Sequence, residues 1–171
     1  MPDGRILLMD FMRSIVGPSI TDIRKLAVQV RLKNEALILV MHPLLCLESR
    51  FANLAVIPSK RTGNGKMQAI WAINIVRAFL LHQAQTGAPS DQIAKAIRRI
   101  AEVAEYKHGR YCLLNFELDP LDAITPDVVS VVGGGFEQHE WPHMLSRIRD
   151  KQSHWREVHS RLQPQQKMER K

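Results

Sequence analysis

Apolar and polar positions change period along the chain, and the change divides it. Residues 5–11, RILLMDF, place Ile6, Leu8 and Asp10 on one face of an extended strand and Leu7, Met9 and Phe11 on the other. Gly17 and Pro18 break that pattern, and Ser19 or Thr21 is positioned to cap a short helical turn around residues 22–25. In residues 26–32 Ala27, Gln29 and Arg31 alternate with Leu26, Val28, Val30 and Leu32, the pattern of a half-exposed strand. Lys33, Asn34 and Glu35 turn the chain into ALILVM, residues 36–41. That segment is apolar on both faces and reads as a buried hairpin strand.

The helical period begins at Pro43. Leu44, Leu47, Phe51 and Leu54 form one stripe, and Pro58 ends it. After the link PSKRTGNGK, residues 66–85 are apolar on nearly every side, as in a helix at the centre of a bundle. Gly87 stops that helix and Ser90 caps the next, whose inward stripe is Ile93, Ile97, Ile100 and Ala104 and whose end is set at Gly109. Residues 115–138, with Pro120, Pro126 and the run from Gly133 to Gly135, predict loop with a short helix near 121–124. A last helix over 141–162 carries Trp141, Leu145, Ile148, Trp155, Val158 and Leu162 at helical spacing, and 163–171 form a disordered tail.

The expected fold is therefore α+β: a small N-terminal mixed or antiparallel sheet of about three strands, followed by a mainly helical region. The boundaries are 1–57 for the α/β core and 58–162 for the helical region. Over 171 residues, 45% hydrophobic and 24% charged, this is enough chain for one buried core. Apolar runs are interrupted before the ~20 residues needed to span a bilayer, and the N-terminus lacks the order of a signal peptide, so the expected location is cytoplasmic, with no membrane partner. Cys46 and Cys112 have no CxxC spacing and read as reduced, packed thiols.

A net charge of +7 favours polyanionic partners, although a solvated Lys/Arg surface gives the same number. KRTGNGK places Lys60, Arg61 and Lys66 beside glycines without the spacing of a P-loop. It reads either as a flexible basic connection or as phosphate-contacting groups. HEWPH, residues 139–143, carries Pro142 inside the pattern and is not a metalloprotease motif; His154 and His159 read as surface residues. Trp71, Trp141 and Trp155 fall at apolar helical positions and read as core anchors rather than base-stacking platforms. ELD, residues 117–119, has the spacing of a carboxylate pair but follows the helical region and adjoins Pro120, so the site is not placed there.

Asp10 is either a strand-end residue or a metal ligand, and the order of elements around it bears on the choice. LLMDFMRSIVG, LVMHPLLCLESRFANLAVIPSK, GKMQAIWAINIVRAFL and LDPLDAI with EWPHML resemble, in series, the second half of bacterial nucleotidyltransferase-like proteins, the group that includes abortive-infection toxin relatives and minimal nucleotidyltransferases. The resemblance covers most of the chain through loose, mainly structural motifs. It implies that residues 1–57 are a partial nucleotidyltransferase-like core with Asp10 as the third metal-binding carboxylate. Arg50, otherwise a helix-surface charge, becomes a phosphate contact, with Lys60, Arg61 and Lys66 as further nucleotide-binding groups. The implied chemistry is transfer of NMP from an NTP with Mg2+. The family's glycine turn and paired carboxylates do not occur before Asp10, and one aspartate does not replace three oxygen ligands.

The chain is thus expected to be incomplete and inactive alone: a truncated frame, a degenerate scaffold, or one part of a site that a second chain or an antitoxin completes. Truncation is favoured, because an exposed sheet edge would otherwise be unpaired. The competing expectation is a non-catalytic basic module for nucleic acid or an acidic protein. It would use Lys60, Arg61, Lys66, Arg98, Arg99, Arg147, Arg149, Lys151 and Arg156.

Overall fold

A computed structural model describes residues 15–168. The strand predicted at 5–11, and Asp10 with it, lies outside the described residues. The chain enters through α1 (Ile20–Leu26), where the Ser19 hydroxyl accepts a hydrogen bond from the Asp22 amide at 3.0 Å and satisfies one of the free donors of the first turn. β1 (Val28–Arg31) and β2 (Leu37–Val40) then form an antiparallel hairpin with Val28 opposite Val40 and Arg31 opposite Leu37. Glu35 closes the turn in the left-handed region, φ 64°, and the Asn34 side chain accepts from the Ala36 amide.

Helices make up the rest: α2 (Pro43–Val56), α3 (Pro58–Thr62), α4 (Gly65–Gln85), α5 (Ser90–Glu105) and α6 (Lys107–Phe116). A 3₁₀ turn (Pro120–Ala123), α7 (Pro126–Val132) and a π-helical turn (Phe136–Glu140) lead into α8 (Trp141–Met168). The architecture is α+β, a small antiparallel sheet followed by a predominantly helical region. The core lies where α2, α4 and α5 meet, with Leu47, Phe51, Leu54, Val76, Leu80, Ile97 and Ile100 all fully buried. The predicted stripes of α2 and α5 are the buried ones. Among the described residues no helix is long and apolar enough to cross a membrane.

Four expectations change. The hairpin is not buried: Leu37 and Leu39 are 54% and 74% exposed, because they share the outer face with Gln29 and Arg31 and no described element packs there. Helix α4 is not surrounded either. Ala69, Ala72, Ile73, Val76 and Leu80 pack inward, whereas Met67, Trp71 and Ile75 form a second stripe at i, i+4 and i+8 that is about half exposed. Trp71, 57% exposed, is therefore no core anchor. Trp141 does pack against the core, and Trp155 is half-buried.

The third change is at Gly109, which does not end a helix but lies inside α6. The break falls at Tyr106, whose backbone is extended, and a Cβ at Gly109 would stand 2.1 Å from the Val103 carbonyl oxygen. Glycine is needed there for close approach, not for termination. Finally, α7 occupies residues predicted as loop. Pro126 stands at its first turn and Gly133, φ 64°, follows its last residue, so the two supposed breakers delimit a helix. The ELD segment has a structural role as well: buried Asp119 caps the 3₁₀ turn through the Leu121 amide and pairs with Arg149 at 2.6 Å.

The close crossing at Gly109 predicts that Gly109→Ala lowers the urea midpoint by the equivalent of about 1–3 kcal/mol through overpacking. A methyl group at Gly135 meets nothing within 4 Å, so Gly135→Ala should leave the midpoint essentially unchanged. Equal midpoints for the two variants contradict the packing described.

Candidate cleft between hairpin and helices

The inner face of the hairpin does not close down on the helical body. Between them lies a cleft of about 1150 Å³, walled by Val28, Val30 and Val40 of the hairpin and by Ile75, Phe79 and Ile93 of α4 and α5. Antiparallel register explains the hairpin wall, since directly opposed residues share a face and successive residues alternate. The volume is that of a small-molecule site, and its walls are mainly apolar.

Four cations line the cleft: Arg50, Lys95, Arg98 and Arg99. Three of them hold carboxylates. Lys95 pairs with Asp91 at 2.9 Å, and Arg98 with Glu140 through two contacts, one of 2.8 Å. Arg99 lies between Asp22 and Glu48, each at 2.9 Å, and so joins α1, α2 and α5. The hydrogen bond from Arg99 holds the Asp22 carboxyl below its ordinary range. Arg50 differs. Its side-chain hydrogen bond goes to the neutral Gln68 amide oxygen at 3.3 Å, and among the described residues it has no carboxylate partner. Among the described residues it is the uncompensated charge of the cleft.

His42 also lines the cleft. Its Nδ1 accepts from the Leu44 amide at 3.2 Å and caps α2, and its ring meets Phe79 edge-on at 4.9 Å. An accepting Nδ1 requires the neutral imidazole with its proton on Nε2. Burial, and then the positive charge of Arg99, lower the pKa of His42 in the same direction.

The other predicted groups lie elsewhere. Lys60 and Arg61 are on α3 and Lys66 is in the first turn of α4; none lines the cleft. The link is not a loose connection, since α3 is helical and Arg61 donates to the Ala55 carbonyl oxygen while lying 4.9 Å above the Tyr111 ring. Of the basic set, Arg147 and Lys151 share Glu105, and Arg149 is taken by Asp119. Cys112 is buried, and burial pushes its thiol up to about 12, which makes it inert at neutral pH. Cys46 is half-buried on the cleft wall. Gln68 and Phe79, which fix Arg50 and His42, carry no chemical signature in the sequence; only the His-Pro pair marked the helix start.

Mg2+ finds no ligand set here: among the described residues no group of three or more His, Cys, Asp or Glu side chains could hold a metal ion.

The His42 cap makes stability depend on pH. Its folded pKa lies below 6.5, so the unfolded chain binds more protons between the folded value and 6.5, and stability falls as pH drops through that window. His108, also lowered by burial and by Lys107, adds to the loss in the same direction. The urea midpoint should fall from about pH 7.5 to about pH 5.5. His42→Asn, which keeps a capping acceptor, should flatten this fall; a variant that loses as much as the parent excludes the buried neutral imidazole. The chain matches no protein-family model, no curated protein and no solved structure.

Proposed function

We propose that the cleft binds a nucleoside triphosphate, with Arg50 meeting the phosphates and the apolar walls receiving the base. One observation carries this reading: Arg50 is half-buried beside apolar walls without a counter-charge among the described residues. A charge in such a place is under-solvated, and an anion that enters restores what water and carboxylates do for its neighbours. The guanidinium fork suits phosphate geometry, and the cleft has room for an aromatic body beside it. The resemblance to nucleotidyltransferase-like proteins supplies the same ligand class by a separate route.

In this reading the chain is the nucleotidyltransferase-like part of a larger site. Nucleotidyl transfer would need metal-binding carboxylates beyond Asp10, brought by a partner chain, and the chain alone holds nucleotide without turning it over.

Titration calorimetry with ATP, GTP, CTP and UTP tests the proposal. At least one nucleotide should bind, and Arg50→Gln should weaken it by about 10- to 100-fold, the worth of a charge-assisted hydrogen bond. Asp10→Ala should leave Mg2+-free binding intact and remove any strengthening by Mg2+. Nucleotide affinity that is indifferent to Arg50 contradicts the assignment.

A further inference from the structure

Three cations without an acidic partner among the described residues, Arg61, Lys107 and Arg110, lie over aromatic rings on a second surface, outside the cleft lining. Helix α6 buries Gly109, Cys112 and Leu113, which turns Lys107, Arg110 and Tyr111, spaced i, i+3 and i+4, to the opposite face. Each charge on that face meets an aromatic ring rather than a carboxylate. Arg61, from α3, lies 4.9 Å from the Tyr111 centroid, Arg110 lies 5.5 Å from that of Trp155 on α8, and Lys107 lies 5.7 Å from that of Tyr106. None of the three has an acidic partner among the described residues. Arg61, Lys107, Arg110 and Tyr106 are exposed, Tyr106 by 56%.

We infer that this face binds single-stranded nucleic acid. Three exposed cations within a few helical turns provide a track for phosphates, and their charge is not spent inside the protein. An acidic peptide would use the charges alone, whereas the interleaved rings and guanidinium planes offer surfaces on which unpaired bases stack. A duplex hides those base faces, so the strand must be single. Arg61 and Arg110 lie over their rings at cation–π distance, which places charge and aromatic surface side by side for a base and its phosphate. The α6 face is independent of the nucleotide cleft and of Arg50.

Fluorescence anisotropy of a 5′-fluorescein oligodeoxythymidine of about 15 nucleotides, titrated with the full chain over a range of salt, tests the inference. Affinity should fall with salt, and Lys107→Gln with Arg110→Gln should reduce the slope of log K against log salt by about 1.4. Tyr106→Ala should weaken binding by about tenfold while Tyr106→Phe preserves it, and a duplex of equal length should bind more weakly. These side chains are exposed, and unchanged thermal melting of each variant verifies its fold. Arg50→Gln should leave the affinity for the strand unchanged, which separates this surface from the cleft. The inference is overturned by a duplex that binds at least as tightly, by Tyr106→Ala at full affinity, or by loss of binding that follows Arg50 instead. Displacement of the strand by polyglutamate with Tyr106 indifferent would assign the face to an acidic protein.

Discussion

The rotation of α2 about its own axis is the constraint on which the cleft depends. Leu45, Leu47, Phe51 and Leu54 are fully buried, and burial of four such side chains contributes about 6–12 kcal/mol. Partial burial of one arginine is the smaller effect, so the helix keeps its apolar face inward and accepts the charge that follows from it. Cys46 and Arg50, one turn apart, are thereby turned to the cleft wall. The His42 cap and Pro43 fix where this helix begins, and the Gln68 amide of α4 steadies the guanidinium from the side.

Charge is distributed with the same economy. Acidic side chains are spent where a cation ties elements together: Asp22 and Glu48 on Arg99, Glu140 on Arg98, Asp119 on Arg149, and Glu105 on Arg147 with Lys151. Such pairs orient the helices more than they stabilise them, because most are partly exposed. What remains of the net charge of +7 is therefore uneven. Among the described residues, the cations without a carboxylate include Arg50 in the apolar cleft and Arg61, Lys107 and Arg110 on a face padded with rings. The two places differ in kind: one is a cleft where three of the four lining cations hold carboxylates, the other a helix face whose cations meet rings.

Much of the framework was legible in the sequence, because it rests on local periodicity. The stripes of α2 and α5, the hairpin with its turn at Glu35, the Ser19 cap and the short turn near 121–124 follow from neighbours within a few residues. What could not be read depends on contacts between distant segments. Arg99 meets Asp22 from 77 positions away and Arg50 meets Gln68 from 18, so neither neutralisation nor its absence at Arg50 shows in the local pattern. Burial of an all-apolar segment is also a tertiary matter, as the hairpin and Trp71 demonstrate. Gly109 and the Pro126 to Gly133 segment were misleading for a simpler reason: the same residue types break helices, start them and let them cross. Asp10, on which the metal-site expectation turned, lies outside the described residues.

The most direct measurement is a crystal structure of the chain grown with a non-hydrolysable nucleoside triphosphate. Phosphate oxygens should lie within hydrogen-bond distance of the Arg50 guanidinium, with the base against the hairpin and Phe79. A nucleotide seated elsewhere, or a cleft filled by another part of the chain with Arg50 against a carboxylate, would contradict this placement.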